Sequence, residues 1–259
     1  MRSNDSHRMA AILTVAAMLG LASAFDVKVA AEGEESAESL IQRVIAQTTR
    51  GGIAVRAIRE LRAGTRSGKH QGWMEVETIV NPSGAFTWKV IEEGGSERTR
   101  SRVFRELLQT EAASWRDGMR DGAALTPDNY EFLPLPSSRP GQAEIRLKPR
   151  RADCKLVDGI LTVSADGYPL QLEGKLAKSP SFWVKSVTVV KRYGTFAGVA
   201  LPTTVESLAD VKMFGQSTFT MRYRYSEVNG RSIPGTIASA PSFGPSAEIL
   251  AVYAATAHR

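Results

Sequence analysis

The chain has 259 residues, 42% of them hydrophobic and 23% charged, with a formal net charge of +6. This is a globular composition with enough apolar material for one good-sized domain or two small ones. A single cysteine excludes an internal disulfide, and three histidines leave little for metal or triad chemistry.

Taken in order, the chain opens with a secretory signal. Arg2 and Arg8 form a positive n-region, Met9 to Leu21 an apolar h-region, and Ala22-Ser23-Ala24 an A-x-A cleavage site. The apolar run falls short of the ~20 residues that span a bilayer. The expectation is therefore a signal peptide over 1–24, cleaved near Ala24, and delivery to the periplasm. No cysteine lies beside the cleavage site to carry a lipid anchor, and nothing later is apolar enough to cross a membrane.

Residues 25–35 read as a mobile acidic lead-in. A helix follows, capped by Ser36 or Ser39, with Leu40, Ile41, Val44 and Ile45 at helical spacing and Gly51-Gly52 at its end. Ile53, Val55, Ala57 and Leu61 alternate with polar residues in a first strand, and 62–68 read as a turn. A second strand runs from about His70 to Val80, and Asn81-Pro82-Ser83-Gly84 is a turn. The third strand carries Phe86, Trp88 and Val90 and breaks at Gly94-Gly95. Residues 97–119 form a second helix, with Phe104, Leu107, Leu108, Trp115 and Met119 on one side and arginines on the other.

Short strands at Tyr130–Leu133 and around Ile145–Leu147 lead into a meander over 158–225. Asp158-Gly159 and Asp166-Gly167 read as hairpin turns, because Asp-Gly supplies the positive φ of a type I′ turn. Leu170, Leu172 and Leu176, and later Phe219, Met221, Tyr223 and Tyr225, recur with a period of two, which buries one face of each strand. From Asn229 onward Gly, Ser, Ala and Pro dominate, the composition of a flexible tail, with Ile249 to Tyr253 an apolar patch able to dock.

Catalysis finds few parts. Only His70 and Cys154 could serve a nucleophilic site within the fold, and no motif surrounds either. The usual zinc ligands and a phosphate-cradling loop are missing from the sequence, and Glu75 and Glu77 read as a solvated strand face. No catalytic residue, metal or cofactor is expected. The basic clusters Arg98/Arg100/Arg102/Arg105 and Arg146/Lys148/Arg150/Arg151 suit a solvated surface or anionic lipid headgroups, and nucleic acid is not an expected partner. The four tryptophans and most phenylalanines fall in the body of the fold. They build either a filled core or a cavity for apolar ligands.

The order of elements resembles the outer-membrane lipoprotein carrier family, the LolA/LolB-like fold, and most of all its lipoprotein-sorting proteins. The likeness rests on Tyr168-Pro169-Leu170-Gln171-Leu172-Glu173-Gly174, then Ala177-Lys178-Ser179-Pro180-Ser181-Phe182-Trp183, Leu201-Pro202 and Val211-Lys212-Met213-Phe214-Gly215, over about 141–228. The resemblance implies an α+β fold: a strongly curved antiparallel sheet, an unclosed β-barrel, with helices covering its concave face. It implies a non-enzymatic carrier of lipid or lipoprotein acyl chains. Arg56 and Arg59 both stand near the strand where such carriers place a lid-contacting arginine.

The expected organisation is a carrier-like domain over 36–229 and a flexible tail over 230–259. The expected hydrophobic lining is Trp88, Phe104, Leu107, Trp115, Trp183, Phe219 and Tyr223. The expected protein is a monomer making only peripheral or transient membrane contact. The alternative is a non-enzymatic envelope assembly or sensor domain that binds a protein or peptide partner.

Overall fold

The computed structural model describes residues 37–257 except 49–51, 69, 84, 117–122, 137–138, 214 and 235–243. The expected signal peptide and lead-in lie outside the described residues. The strands are β1 (Val55–Thr65), β2 (Gly72–Val80), β3 (Phe86–Gly95), β4 (Tyr130–Leu135), β5 (Gln142–Pro149), β6 (Val157–Ser164), β7 (Pro169–Leu176), β8 (Val184–Phe196), β9 (Val199–Val211), β10 (Gly215–Val228) and β11 (Arg231–Ser232). They form one 11-stranded sheet in the order β3-β2-β1-β10-β9-β8-β7-β6-β5-β4, with β11 on β10. Every pairing is antiparallel, and β3 and β4 remain as open edges.

Alternation in the sequence fixes which face is buried. Ala57, Leu61 and Ala63 of β1 stand opposite Tyr225, Met221 and Phe219 of β10, and all six are buried. β2 alternates over its whole length, burying Gly72, Met74, Val76, Thr78 and Val80. The same face continues across β9 and β8 through Val205 and Val189 to Leu172 of β7, which pairs with Lys191. We call this the inner face.

Two helices pack on it. Helix α1 (Ala37–Thr48) seats Ile41 and Val44 against Tyr130, Ile145 and Leu161. Helix α2 runs as Glu97–Thr99, a π-helical stretch Arg100–Arg105, and Glu106–Arg116. Val103, Phe104, Leu107 and Leu108 join the cluster of β1, β2, β8, β9 and β10. The turn into α2 is tight. Gly95 adopts φ 75, and a Cβ there would run into the carbonyl oxygen of Gln71. Ser96 caps the first turn, and the Thr99 hydroxyl donates to the His70 carbonyl at 2.6 Å. These bonds bring α2 back over the sheet.

Helix α3 (Ala247–Ala257) corrects two expectations. The C-terminal segment expected to be a flexible tail contains this helix, with Ile249 and Val252 buried against Val190 and Leu208. Those two strand residues alternate with Val189 and Ala209, so α3 lies on the opposite face from α1 and α2. The helices are thus not all on one side. Ile249, Leu250, Val252 and Tyr253 supply enough apolar surface to hold the helix on the sheet. Arg192–Glu248, Lys175 to the Thr256 carbonyl, and Tyr253 Oη to Asp210 add polar contacts.

Asp158-Gly159 is not a hairpin turn. Both residues lie inside β6, where Gly159 pairs with Gly174 of β7. A Cβ on either glycine would meet the carbonyl oxygen of Glu173 or Asp158, so the dipeptide serves close strand approach. Asp166-Gly167 does turn, with Gly167 at φ 78. β1 also continues through Thr65, over residues read as a turn.

Candidate functional site

The inner face holds charges where a core would be apolar. Arg59 follows the buried parity of β1, between Ala57 and Leu61, and is 4% exposed. Its two terminal nitrogens donate to the two carboxylate oxygens of Glu111 on α2, at 2.6 and 3.0 Å. The guanidinium lies 5.1 Å from the Phe86 ring centroid and 5.0 Å from that of Tyr223. Burial opposes its charge, but Glu111 and then Tyr223 outweigh that and hold Arg59 above its ordinary value. Arg56 points the other way, to Glu77 at 3.0 Å. Of the two arginines, only Arg59 therefore touches the covering helix.

A pocket of about 30 Å³ sits beside this pair, walled by Arg59, Glu111, Trp115, Leu201, Tyr223 and Tyr225 among others. It has room for about two waters and none for an acyl chain. Phe104, Leu107 and Leu108 of α2 are fully buried in the cluster with the strands. Phe86 stacks on Trp115 with centroids 6.5 Å apart, and Tyr223 on Tyr225 at 5.9 Å. Tyr225 Oη donates to the Pro202 carbonyl at 2.6 Å.

A second buried cation lies on β8. Lys191 is 8% exposed, with Nζ 5.4 Å from the Tyr193 ring centroid. Burial pushes its ammonium down to about 8, with Glu111 pulling in the opposite sense. Burial likewise raises the phenols of Tyr193 and Tyr223.

Of the expected lining, Trp115 and Tyr223 stand in the pocket wall. Phe104, Leu107 and Phe219 are buried in the cluster beneath α2, and Trp88 packs half-buried against it. Trp183 belongs to none of the buried clusters. It precedes β8 in a loop, edge-on to Phe182 at 5.6 Å. Phe182, expected within the body, is 75% exposed, and Met213 on the neighbouring turn is 88% exposed. The Lys212 amide donates to the Trp183 carbonyl at 2.8 Å, and Lys212 Nζ sits 3.8 Å from the Phe182 ring centroid. These contacts join the two loops.

Glu111 and Lys191 escaped the sequence reading. Both carry a usable signal: Lys191 shares parity with Val187 and Val189, and Glu111 falls three and four residues after Leu108 and Leu107. Cys154 is half-buried, and burial raises its thiol above the ordinary value. Among the described residues no His/Cys/Asp/Glu group is placed to hold a metal, and no helix is long and apolar enough to cross a membrane.

No family model and no curated protein matches the sequence. Solved structures to which the chain is similar include a LolA superfamily protein from Nitrosomonas europaea. It is 12% identical, with a TM-score of 0.41, over 76% of this chain and 94% of that one. An outer membrane lipoprotein-sorting protein domain from Vibrio parahaemolyticus is 11% identical, with a TM-score of 0.38, over 73% and 90%.

Proposed function

We propose that the protein is an exported, non-enzymatic carrier that takes acyl chains of lipids or lipoproteins between the inner face of the sheet and helix α2. The observation that carries this reading is the Arg59–Glu111 pair, a buried bidentate bridge joining sheet to helix. As glue, apolar residues of the same volume would serve at least as well. What the pair adds is a discrete contact, made when α2 lies on the sheet and lost when it lifts.

The energetics allow such an exchange. Uncovering Val103, Phe104, Leu107 and Leu108 exposes side chains worth ~1.5–3 kcal/mol each, whereas a chain of about fifteen methylenes brings ~0.8 kcal/mol per CH₂. The ligand's burial is comparable to what the helix gives up. On this reading the small pocket belongs to the closed form, and Phe104, Leu107, Trp115, Phe219, Tyr223 and Trp88 line the open one. The exposed Phe182 and Met213, flanked by Lys178, Lys185 and Lys212, would meet the membrane from which the chain is taken.

The test is native mass spectrometry of protein purified from the envelope of its host. The carrier reading expects an added mass matching a lipid. Its consistent absence, with no uptake of added lipid, overturns the reading. The small pocket volume favours a second reading, an envelope assembly or sensor domain that binds a protein or peptide along an open sheet edge. That reading expects capture of a protein partner by a chain that takes up no lipid.

A further inference from the structure

The two halves of the Arg59–Glu111 bridge belong to different elements. Arg59 is part of strand β1, whereas Glu111 is carried by helix α2. Both stand in the wall of the small pocket. The position of the guanidinium is set from the sheet. The strand register puts Tyr223 of β10 directly opposite Arg59, with its ring centroid 5.0 Å from the guanidinium. The ring of Phe86, the first residue of β3, lies at 5.1 Å. Two strand-borne rings therefore flank the cation whether or not α2 lies over it.

A guanidinium does not give up its proton, so Arg59 keeps its charge when α2 lifts. Glu111 leaves with the helix. The sheet then presents a fixed cation, 4% exposed in the closed form, on the face along which an acyl chain would lie. A neutral ligand covering that face would leave the charge desolvated and unpaired, which is strongly unfavourable. A ligand with its own two-oxygen anion would refill the fork that Glu111 occupies, because a carboxylate or phosphate accepts two parallel N–H donors from one planar group. Nor does Glu111 use up the hydrogen-bonding capacity of this cross-strand pair. Arg59 Nε and Tyr223 Oη are enclosed and make no hydrogen bond among the described residues.

We propose that Glu111 is a place-holder on Arg59, and that the anionic head of the acyl ligand, a carboxylate or phosphate, takes its position when α2 lifts. The cargo is then an acidic amphiphile in preference to a neutral ester or glyceride. This rests on the carrier reading above and adds that the ligand head and the helix compete for one guanidinium. One bidentate oxyanion replaces another, so the ligand returns much of the electrostatic cost of lifting the helix. Closure releases the head by the reverse exchange.

The experiment compares a polyene fatty acid, whose fluorescence rises in apolar surroundings, with the methyl ester of the same chain. Each is titrated into the wild-type protein, into Glu111→Gln and into the double variant Arg59→Met with Glu111→Leu. The wild type should bind the acid at least about tenfold more tightly than the ester, the worth of one charge-assisted pair. Glu111→Gln should tighten the acid by about tenfold or more, because the competing carboxylate is gone. The double variant should bind acid and ester alike. Excess inorganic phosphate should leave the probe bound. Equal binding of acid and ester by the wild type, an acid affinity that Glu111→Gln does not raise, or a preference that survives in the double variant overturns the head-group assignment and leaves the carrier standing. Displacement by phosphate makes a free anion the ligand of Arg59 and also overturns it. Binding of neither molecule by the wild type overturns the carrier and the assignment together. Wild type and Glu111→Gln decide the matter even where the double variant fails to fold.

Discussion

Arg59 of strand β1 and Glu111 of helix α2 face each other in two near-parallel hydrogen bonds of 2.6 and 3.0 Å, each side chain only 5% exposed. This buried ion pair links the sheet to its covering helix. Removing one partner strands the other charge in an apolar interior. Arg59→Met or Glu111→Leu alone should therefore destabilise the protein by ~3–5 kcal/mol, while the double variant should lie near wild type or above it. Denaturant unfolding of the four proteins as a double-mutant cycle checks this. Additive losses would mean that the pair is not coupled.

The second prediction concerns pH. Lys191 holds its proton with a value near 8 in the folded protein, against 10.5 for an ordinary lysine. Between these two values the unfolded chain binds more protons than the folded one, so stability rises with pH across that window. Glu111 and the Tyr193 ring are the groups that face the lysine, and both remain in Lys191→Met. The variant should exceed wild type in stability below about pH 8, by something on the order of 3 kcal/mol, and the gap should close towards about pH 10.5. Unfolding both proteins at several pH values measures the gap. A constant gap would place the lysine in water.

A third prediction tests the exposed tip. Phe182 and Met213 protrude from adjacent loops beside Lys178, Lys185 and Lys212. Sedimentation with vesicles of anionic phospholipid should show binding that Phe182→Ser with Met213→Ser weakens by about tenfold or more, since two apolar side chains leave the bilayer. Neutral vesicles should bind less, and salt should weaken the anionic case. Equal binding of the variant would remove the tip from membrane contact.

A fourth concerns helix α3. Ile249 is 1% exposed and packs on Val190 and Leu208. Ile249→Asp should cost ~3 kcal/mol or more, from lost burial and a desolvated carboxylate, and should release the helix. Thermal unfolding and protease sensitivity after residue 243 read both effects. An unchanged midpoint would show that the helix contributes nothing to the sheet.

Much of the fold is legible in the sequence because period-two burial is strict. Ala57, Leu61, Met221 and Tyr223 sit on the inner face as their alternation requires. The misses have separate physical causes. Asp158-Gly159 has turn chemistry, yet both residues lie inside β6, where Gly159 serves close approach to Gly174. Phe182 is apolar, but a loop carries it, and no periodicity governs a loop. The tail's composition masks a short helix whose stability comes from tertiary contact with β8 and β9, not from its own sequence. The site itself was half visible. Parity assigns Arg59 and Lys191 to the buried face, but a reading that sorts residues by polarity sends both to solvent. The pairing of Arg59 with Glu111 depends on how α2 folds back at Gly95 and Ser96, which no local pattern encodes.

The central claim is that α2 gives way to an acyl chain. Amide hydrogen exchange of residues 106–116, followed during titration with the polyene fatty acid, tests it most directly. The account predicts saturable uptake at one site, with faster exchange or altered protection confined to α2 and its contacts on β1 and β10, and weaker uptake by Trp115→Asp. Saturable uptake with α2 protection unchanged would contradict it.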